Sequence, residues 1–164
     1  MGDHFGKLLE EAIKLELYVS DLYMVFYRKF PEDSDFWWKL AIEEQNHAAL
    51  LKTVRKMNNA RLNVPEGIVP PAIEMLVQSN EKLIAAIEDF EHHPDRNRAF
   101  RFAFMVEHSA GELHYEEFMK YSNESRLTAV FRKLNGDDID HAARIRKYMT
   151  EHHIPVDDLS DAGL

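Results

Sequence analysis

Two short segments of this chain, 94 residues apart, carry the same cluster of acidic residues and histidine. Residues 36–51 read FWWKLAIEEQNHAALL, and residues 130–145 read VFRKLNGDDIDHAARI. When the segments are aligned on His47 and His141, an acid pair precedes each histidine and two alanines follow it. Carboxylate and imidazole are ligands that suit iron, manganese and zinc. The repeat therefore directs attention to metal chemistry.

The second acid of each pair lies three residues before its histidine. Residues three apart lie on nearly the same face of an α-helix, so Glu44 can point to the same spot as His47. Asp138 and His141 have the same relation. A third acid-x-x-His pair, at residues 89 and 92, falls at a predicted helix end and is interpreted as chance. The repeated surroundings of the first two pairs give them more weight.

A single glutamate precedes each repeat on another helical segment. Glu16 lies 31 residues before the first histidine, and Glu107 lies 34 residues before the second. Both lie among apolar residues, and each has a ring-bearing residue seven positions later, Tyr23 or His114. Each half of the chain thus offers one glutamate followed by an acid-x-x-His pair.

Helical periodicity, divided by proline, glycine and asparagine, predicts an all-α protein of five helices. The segments span about 5–30, 34–59, 71–93, 95–123 and 125–153. The first has apolar residues at steps of three and four, namely Leu8, Leu9, Ala12, Leu15, Val19, Leu22, Tyr23 and Phe26. Short connections make antiparallel neighbours, so two hairpins predict a four-helix bundle. The third helix is either part of the crossover or packed outside.

Length and composition limit the class of protein. A chain of 164 residues predicts a single domain, residues 1–164. A net charge of −9 argues against nonspecific nucleic-acid binding, which requires a basic surface. Apolar runs are too short for a membrane span, and no secretory leader is evident, so we expect a cytoplasmic protein. With no cysteine, any metal must be held by carboxylate and imidazole.

Folding both hairpins into one bundle gathers four carboxylates and two imidazoles in its core. This is the ligand plan of di-iron carboxylate bundles, with one glutamate from each of two helices and Glu-x-x-His from the others. Buried carboxylates without counter-charge are costly, and two divalent ions would neutralise them. The alternative is that these acids are surface residues and that the histidines are partly buried polar residues. A further hypothesis is a metal-free or zinc-filled bundle that acts as an interaction module.

The sequence resembles the ferritin-like superfamily, most closely the di-iron domain of rubrerythrins. The segments that carry the resemblance are KLELYVSDLYMVFY, FWWKLAIEEQNHAALL, AFRFAFMVEHSAGELHYEEF and LTAVFRKLNGDDIDHAARI. The resemblance implies a ferritin-like four-helix bundle with an additional crossover helix. It also implies two bridged iron ions, with zinc or manganese as alternatives. By position, the metal ligands would be Glu16, Glu44, His47, Glu107, Asp138 and His141.

Several features depart from that family. Rubrerythrins carry a small cysteine-ligated iron domain that delivers electrons, and this chain has no cysteine. An external electron donor protein is therefore expected. Asp138 stands where the family has glutamate. An extra acid on the family's fourth bundle helix has no clear counterpart, since Glu112 lies well round the helix from Glu107 and His114 is better aligned.

Two reactions follow from the resemblance. The first is reduction of peroxide with electrons from the external donor, and the second is oxidation of ferrous iron by peroxide or dioxygen. A homodimer is expected from family resemblance alone. The aromatic residues are interpreted as core side chains, with electron transfer as the alternative role for Trp37, Trp38, Tyr23, Tyr27 and Tyr115.

Overall fold

The computed structural model describes residues 4–57, 69–121 and 126–156, without the side chains of residues 5, 57, 69–71, 110–121 and 126–128. These ranges contain five α-helices, one 3-10 turn and no strand, so the all-α prediction is confirmed. In chain order the elements are α1 (His4–Lys29), the turn (Pro31–Asp33), α2 (Ser34–Met57), α3 (Val69–His92), α4 (Arg96–Tyr121) and α5 (Arg126–Glu151).

The apolar stripe of α1 forms the largest part of the core. All eight positions predicted from its periodicity are buried. Ile13 and Val25 are buried as well, outside the predicted stripe. The reason is that α1 packs against two helices, α2 and α3, and so buries more than one face. The third helix of the sequence prediction is thus packed against α1.

The helix ends follow from local chemistry. α1 closes with a hydrogen bond from the Phe30 amide to the Phe26 carbonyl at 2.9 Å, directly before Pro31, which has no amide hydrogen to donate. At the start of α4, the Asp95 carboxylate accepts a hydrogen bond of 2.8 Å from the Arg98 amide. That bond satisfies one of the free amides of the first helical turn, as expected of an N-cap residue.

Packed aromatic rings join four helices near the α1–α2 turn. The Phe26 ring lies 4.9 Å from both Trp37 and Phe90, and the Trp37 ring lies 4.4 Å from Phe100. Such ring pairs contribute about 0.5–1.5 kcal/mol each beyond the area they bury. The rings therefore fix α1, α2, α3 and α4 relative to one another.

A buried ion pair closes the same end of the molecule. Asp33 accepts hydrogen bonds from Nε and Nη2 of Arg96, at 2.7 and 2.8 Å, and from the Tyr148 hydroxyl at 2.9 Å. It thereby ties the 3-10 turn to α4 and α5. The α5 helix packs mainly on α4 and also contacts α2. None of the described helices has both the length and the hydrophobicity that a membrane crossing requires.

Candidate metal centre

Six predicted ligands converge in the interior between four helices. Glu16 comes from α1, Glu44 and His47 from α2, Glu107 from α4, and Asp138 and His141 from α5. All six are buried, with at most 5% of any residue exposed. We call these six residues the acid–histidine cluster. By contrast, His92 of the third acid-x-x-His pair is exposed, and its Nδ1 lies near the Glu88 carbonyl oxygen instead.

The ligand atoms of the cluster fall into two groups that share one residue. Glu16, Glu44, His47 and Asp138 each place one donor atom within 4.8 Å of the others. Glu44, Glu107 and His141 form the second group by the same criterion. Glu44 thus belongs to both groups, as a bridging carboxylate would.

Asp138 belongs to the group of His47, although it lies only three residues before His141. Residues three apart are offset by about 60° round a helix of 3.6 residues per turn. A short aspartate side chain can therefore face one side while the histidine faces the other. Asp138 is thus grouped with the histidine of the opposite helix rather than with the one that follows it in sequence.

The inner nitrogens of both histidines face the carboxylates. His47 Nδ1 lies 3.1 Å from Glu44 and 3.5 Å from Glu16. His141 Nδ1 lies 2.6 Å from Glu44 Oε1 and 3.5 Å from Glu107. The close pair, His141 Nδ1 and Glu44 Oε1, is not aligned as a hydrogen bond, and neither atom has another such partner among the described residues. Buried polar atoms without a hydrogen bond call for an explanation, and a cation bound between these two atoms would supply one.

The outer nitrogens bind the first acid of each pair, on the opposite helix. His141 Nε2 lies 2.8 Å from Glu43, and His47 Nε2 lies 3.2 Å from Asp137. Histidines that bind metal through one nitrogen usually donate the other N–H to a carboxylate, which fixes the ring. We call Glu43 and Asp137 the outer acids. The sequence showed both acid pairs, but only the crossing of α2 and α5 assigns their first members a contact.

A basic side chain pairs with each outer acid. Arg144 binds Glu43 through both terminal nitrogens, and Lys133 binds Asp137. Burial alone would raise the pKa of Glu43, but Arg144 outweighs it and lowers that pKa. Burial likewise would raise the pKa of Asp137, but Lys133 outweighs it, and that pKa is also lowered. Both outer acids are therefore anions that accept hydrogen bonds from the histidines.

The cluster itself has strongly shifted protonation in the absence of metal. Burial raises the pKa of Asp138 to about 10, and three neighbouring glutamates add to the effect. Burial, opposed by His47, raises the pKa of Glu16 to about 7. Burial alone would lower the histidine pKa values, but the adjacent carboxylates raise those of His47 and His141 to about 11. Bound protons thus balance part of the negative charge of the cluster, as metal cations would.

A tyrosine and a solvent-facing pocket complete the surroundings. The Tyr23 hydroxyl donates a hydrogen bond to Glu107, and burial, with the negative charge of Glu107, raises the tyrosine pKa well above its usual value. A polar pocket of about 280 Å³ lies on the outer side of both histidines and is lined by Glu43, Asn46, His47, Lys133, Asp137, Asp140, His141 and Arg144. The side chains of Glu112, His114 and Tyr115 lie outside the described residues.

Comparison of this chain with protein-family models, curated proteins and solved structures found no match. The interpretation of the site therefore depends on its own chemistry. Buried carboxylates and imidazoles within ligand distance of one another could hold a metal ion. Hard carboxylate oxygens combined with imidazole suit iron, manganese or zinc.

Proposed function

We propose that this protein is a dinuclear iron protein, similar to the rubrerythrin-type members of the ferritin-like superfamily. Its proposed reaction is the reduction of hydrogen peroxide with electrons from an external donor protein. The observation that carries the proposal is the pair of donor groups joined by Glu44. In this view α1, α2, α4 and α5 are the four helices of a ferritin-like bundle, and α3 is the additional helix.

Charge balance supports two divalent ions. The four carboxylates of the cluster carry four negative charges when ionised, which two ferrous ions would neutralise. Without metal, protonation of both histidines and Asp138 offsets three of those four charges, and the Glu16 pKa of about 7 leaves the fourth partly neutralised at pH 7. Leaving such groups ionised and unpaired in the interior would cost several kcal/mol each.

The chain's own residues would have distinct roles. Glu16, His47 and Asp138 would hold one ion, Glu107 and His141 the other, and Glu44 would bind both. Bound iron supplies electrons and Lewis acidity to the oxidant. The outer acids hold the histidine rings in place, and the Tyr23 hydroxyl orients the Glu107 carboxylate. Each peroxide takes up two electrons and two protons and yields two water molecules.

Metal analysis after anaerobic loading with ferrous iron tests the site. We expect two ions per chain in the wild type. Glu44→Ala should lose both because this residue belongs to both donor groups, whereas His47→Ala should lose mainly one. The matched control is Asp89→Ala with His92→Ala, which removes the exposed acid-x-x-His pair and should keep both ions.

Circular dichroism of each variant separates loss of metal from loss of fold. Equal metal content in folded wild type and folded Glu44→Ala would show that the site is elsewhere. Zinc or manganese alone in protein purified without chelator would favour a different metal. The absence of bound metal under all conditions would favour the metal-free interaction module.

Oxidation of ferrous iron is the second candidate function. The polar pocket favours it, since the pocket reaches both histidines and is lined by three acidic residues against two basic ones, which leaves a net negative charge. Stopped-flow absorbance with each oxidant distinguishes the two reactions. Faster oxidation of the diferrous protein by peroxide than by dioxygen supports the peroxidase. The reverse preference supports iron oxidation.

A further inference from the structure

A series of aromatic rings begins at the acid–histidine cluster. Tyr23, whose hydroxyl donates to Glu107, places its ring 5.5 Å from that of Trp37. Both rings are fully buried. In a chain without cysteine, tyrosine and tryptophan are the side chains most readily oxidised by one electron. The first two rings of the series are therefore redox-active, and the first is hydrogen-bonded to the cluster.

The series continues away from the cluster toward solvent. The Trp37 ring lies 5.2 Å from Phe36 and 4.4 Å from Phe100. Both phenylalanines contact Tyr148, at 4.2 and 5.4 Å between ring centroids. Tyr148 is half-buried, and the exposed His152 ring stacks on it at 3.9 Å. Two alternative routes, one through each phenylalanine, thus connect a buried tryptophan to a tyrosine near the surface.

The hydrogen bonds along this series differ in a way that matters for oxidation. The Trp37 Nε1 group has no hydrogen-bond partner among the described residues, so an oxidised Trp37 has no adjacent base for its proton. The Tyr148 hydroxyl donates to Asp33 at 2.9 Å, and Arg96 holds that carboxylate in place. An oxidised Tyr148 can therefore pass its proton to Asp33. Burial and Asp33 raise the pKa of Tyr148 to about 12, so it is protonated beforehand.

We propose that Tyr23, Trp37 and Tyr148 carry oxidising equivalents from the cluster to the surface, with Phe36 and Phe100 between the last two. Trp37 acts as the relay, and Tyr148 is the residue at which the radical comes to rest. Core packing alone requires the rings, but it does not require a tyrosine hydroxyl bonded to a carboxylate at each end of the series.

The identity of the physiological oxidant, hydrogen peroxide, rests on the proposed function. Reduction of peroxide to two hydroxide ions takes two electrons. A single bound ferrous ion would supply one of these electrons. The second electron comes from Tyr148 through Trp37 and Tyr23, and the Tyr148 proton passes to Asp33. The product is a neutral tyrosyl radical close to solvent, where an external reductant can return the electron.

A metal-free experiment tests the outer part of the route, from Trp37 to Tyr148, independently of the proposed function. The background variant carries Trp38→Phe and Tyr23→Phe, so that Trp37 is the only tryptophan and the inner tyrosine is removed. Azide radicals produced by pulse radiolysis oxidise tryptophan in preference to tyrosine. Transient absorption should then show decay of the tryptophanyl radical with matching growth of a tyrosyl radical, at a rate independent of protein concentration.

Two further substitutions in this background decide the outcome. Tyr148→Phe, which keeps the ring and removes the hydroxyl, should abolish the conversion. Tyr27→Phe is the matched control, because Tyr27 is a partly exposed tyrosine outside the ring series, and it should leave the rate unchanged. Conversion that persists without the Tyr148 hydroxyl, or a Trp37 that is not oxidised or does not convert, would overturn the route.

The second arm uses iron-loaded protein with one ferrous ion per chain and hydrogen peroxide. Electron paramagnetic resonance of rapidly frozen samples should show a tyrosyl radical that is lost in Tyr148→Phe and retained in Tyr27→Phe. Peroxide consumption is measured in the same samples. Failure to consume peroxide counts against the proposed function, whereas consumption with no dependence of the radical on Tyr148 counts against the route.

Discussion

Asp138→Glu should bring the affinities of the two metal positions closer together. The donor group that contains His47 has four members, and the group that contains His141 has three, with Asp138 only in the first. We therefore expect the position near His141 to bind the second ion more weakly. Glutamate extends the carboxylate by one carbon–carbon bond, about 1.5 Å, which is the reach that this position lacks.

The size of the effect can be bracketed. Metal–oxygen bonds are about 2.1 Å, so an oxygen withdrawn by about 1.5 Å lies at about 3.6 Å. For a divalent ion and an effective dielectric constant of about 20, the lost attraction is roughly 6–7 kcal/mol, which is an upper limit because desolvation opposes it. Changes in contacts that only orient a ligand alter metal affinity by about 10- to 100-fold. We therefore expect the weaker affinity to rise at least about tenfold, or about 1.4 kcal/mol.

Anaerobic titration with cobaltous ion, followed by absorbance and by calorimetry, measures both affinities. Wild type should show two distinct values, and Asp138→Glu should show one or two similar values. The control is Asp35→Glu, which adds the same methylene at an exposed position of α2. Two equal affinities in the wild type, unchanged by Asp138→Glu, would refute the reasoning about reach.

Three further outcomes are expected. Loading two ions at pH 7 should release between three and four protons, since the pKa values are about 11 for both cluster histidines, about 10 for Asp138 and about 7 for Glu16. Because protons compete with the metal, affinity should rise with pH. Calorimetry in buffers of different ionisation enthalpy counts the released protons. Gly136→Ala should raise the free energy of unfolding by about 0.5–1 kcal/mol in urea, because alanine favours a helix and its Cβ meets no atom within 4 Å. Asp33→Asn should lower it by about 3 kcal/mol, the low end for breaking a buried ion pair, because Arg96 is partly exposed. A decrease with Gly136→Ala, or no change with Asp33→Asn, would contradict the respective argument.

The helices were predictable because local chemistry determines them. Apolar residues at steps of three and four identified the buried face of α1, and Pro31 and Asp95 marked helix boundaries. The position of α3 was not predictable from its own pattern, since an apolar stripe requires burial without specifying a partner. The burial of Ile13 and Val25 has the same explanation, because it depends on α3 covering a second face of α1.

The six cluster residues could be selected because repetition distinguishes them from other acids and histidines. Which donors share a position could not be predicted, because that depends on how far each side chain reaches. Asp138 illustrates this, since its neighbour in sequence is His141 while its neighbours in space include His47. The partner of Asp33 was also beyond the sequence, because Arg96 is 63 residues away and the contact depends on how α4 starts beside the turn.

The outer acids explain why each acidic position of the repeat is doubled. The inner acid of each pair faces the metal position, and the outer acid holds the histidine of the opposite helix through Nε2. Without metal, the raised pKa values keep both histidines protonated, and Nε2 of each donates to an outer acid. Metal binding as proposed would displace only the Nδ1 proton, while the Nε2 hydrogen bond would remain in place. The rings need not rotate on loading, so the contacts of Glu43 and Asp137 prepare α2 and α5 for the ions before either ion arrives.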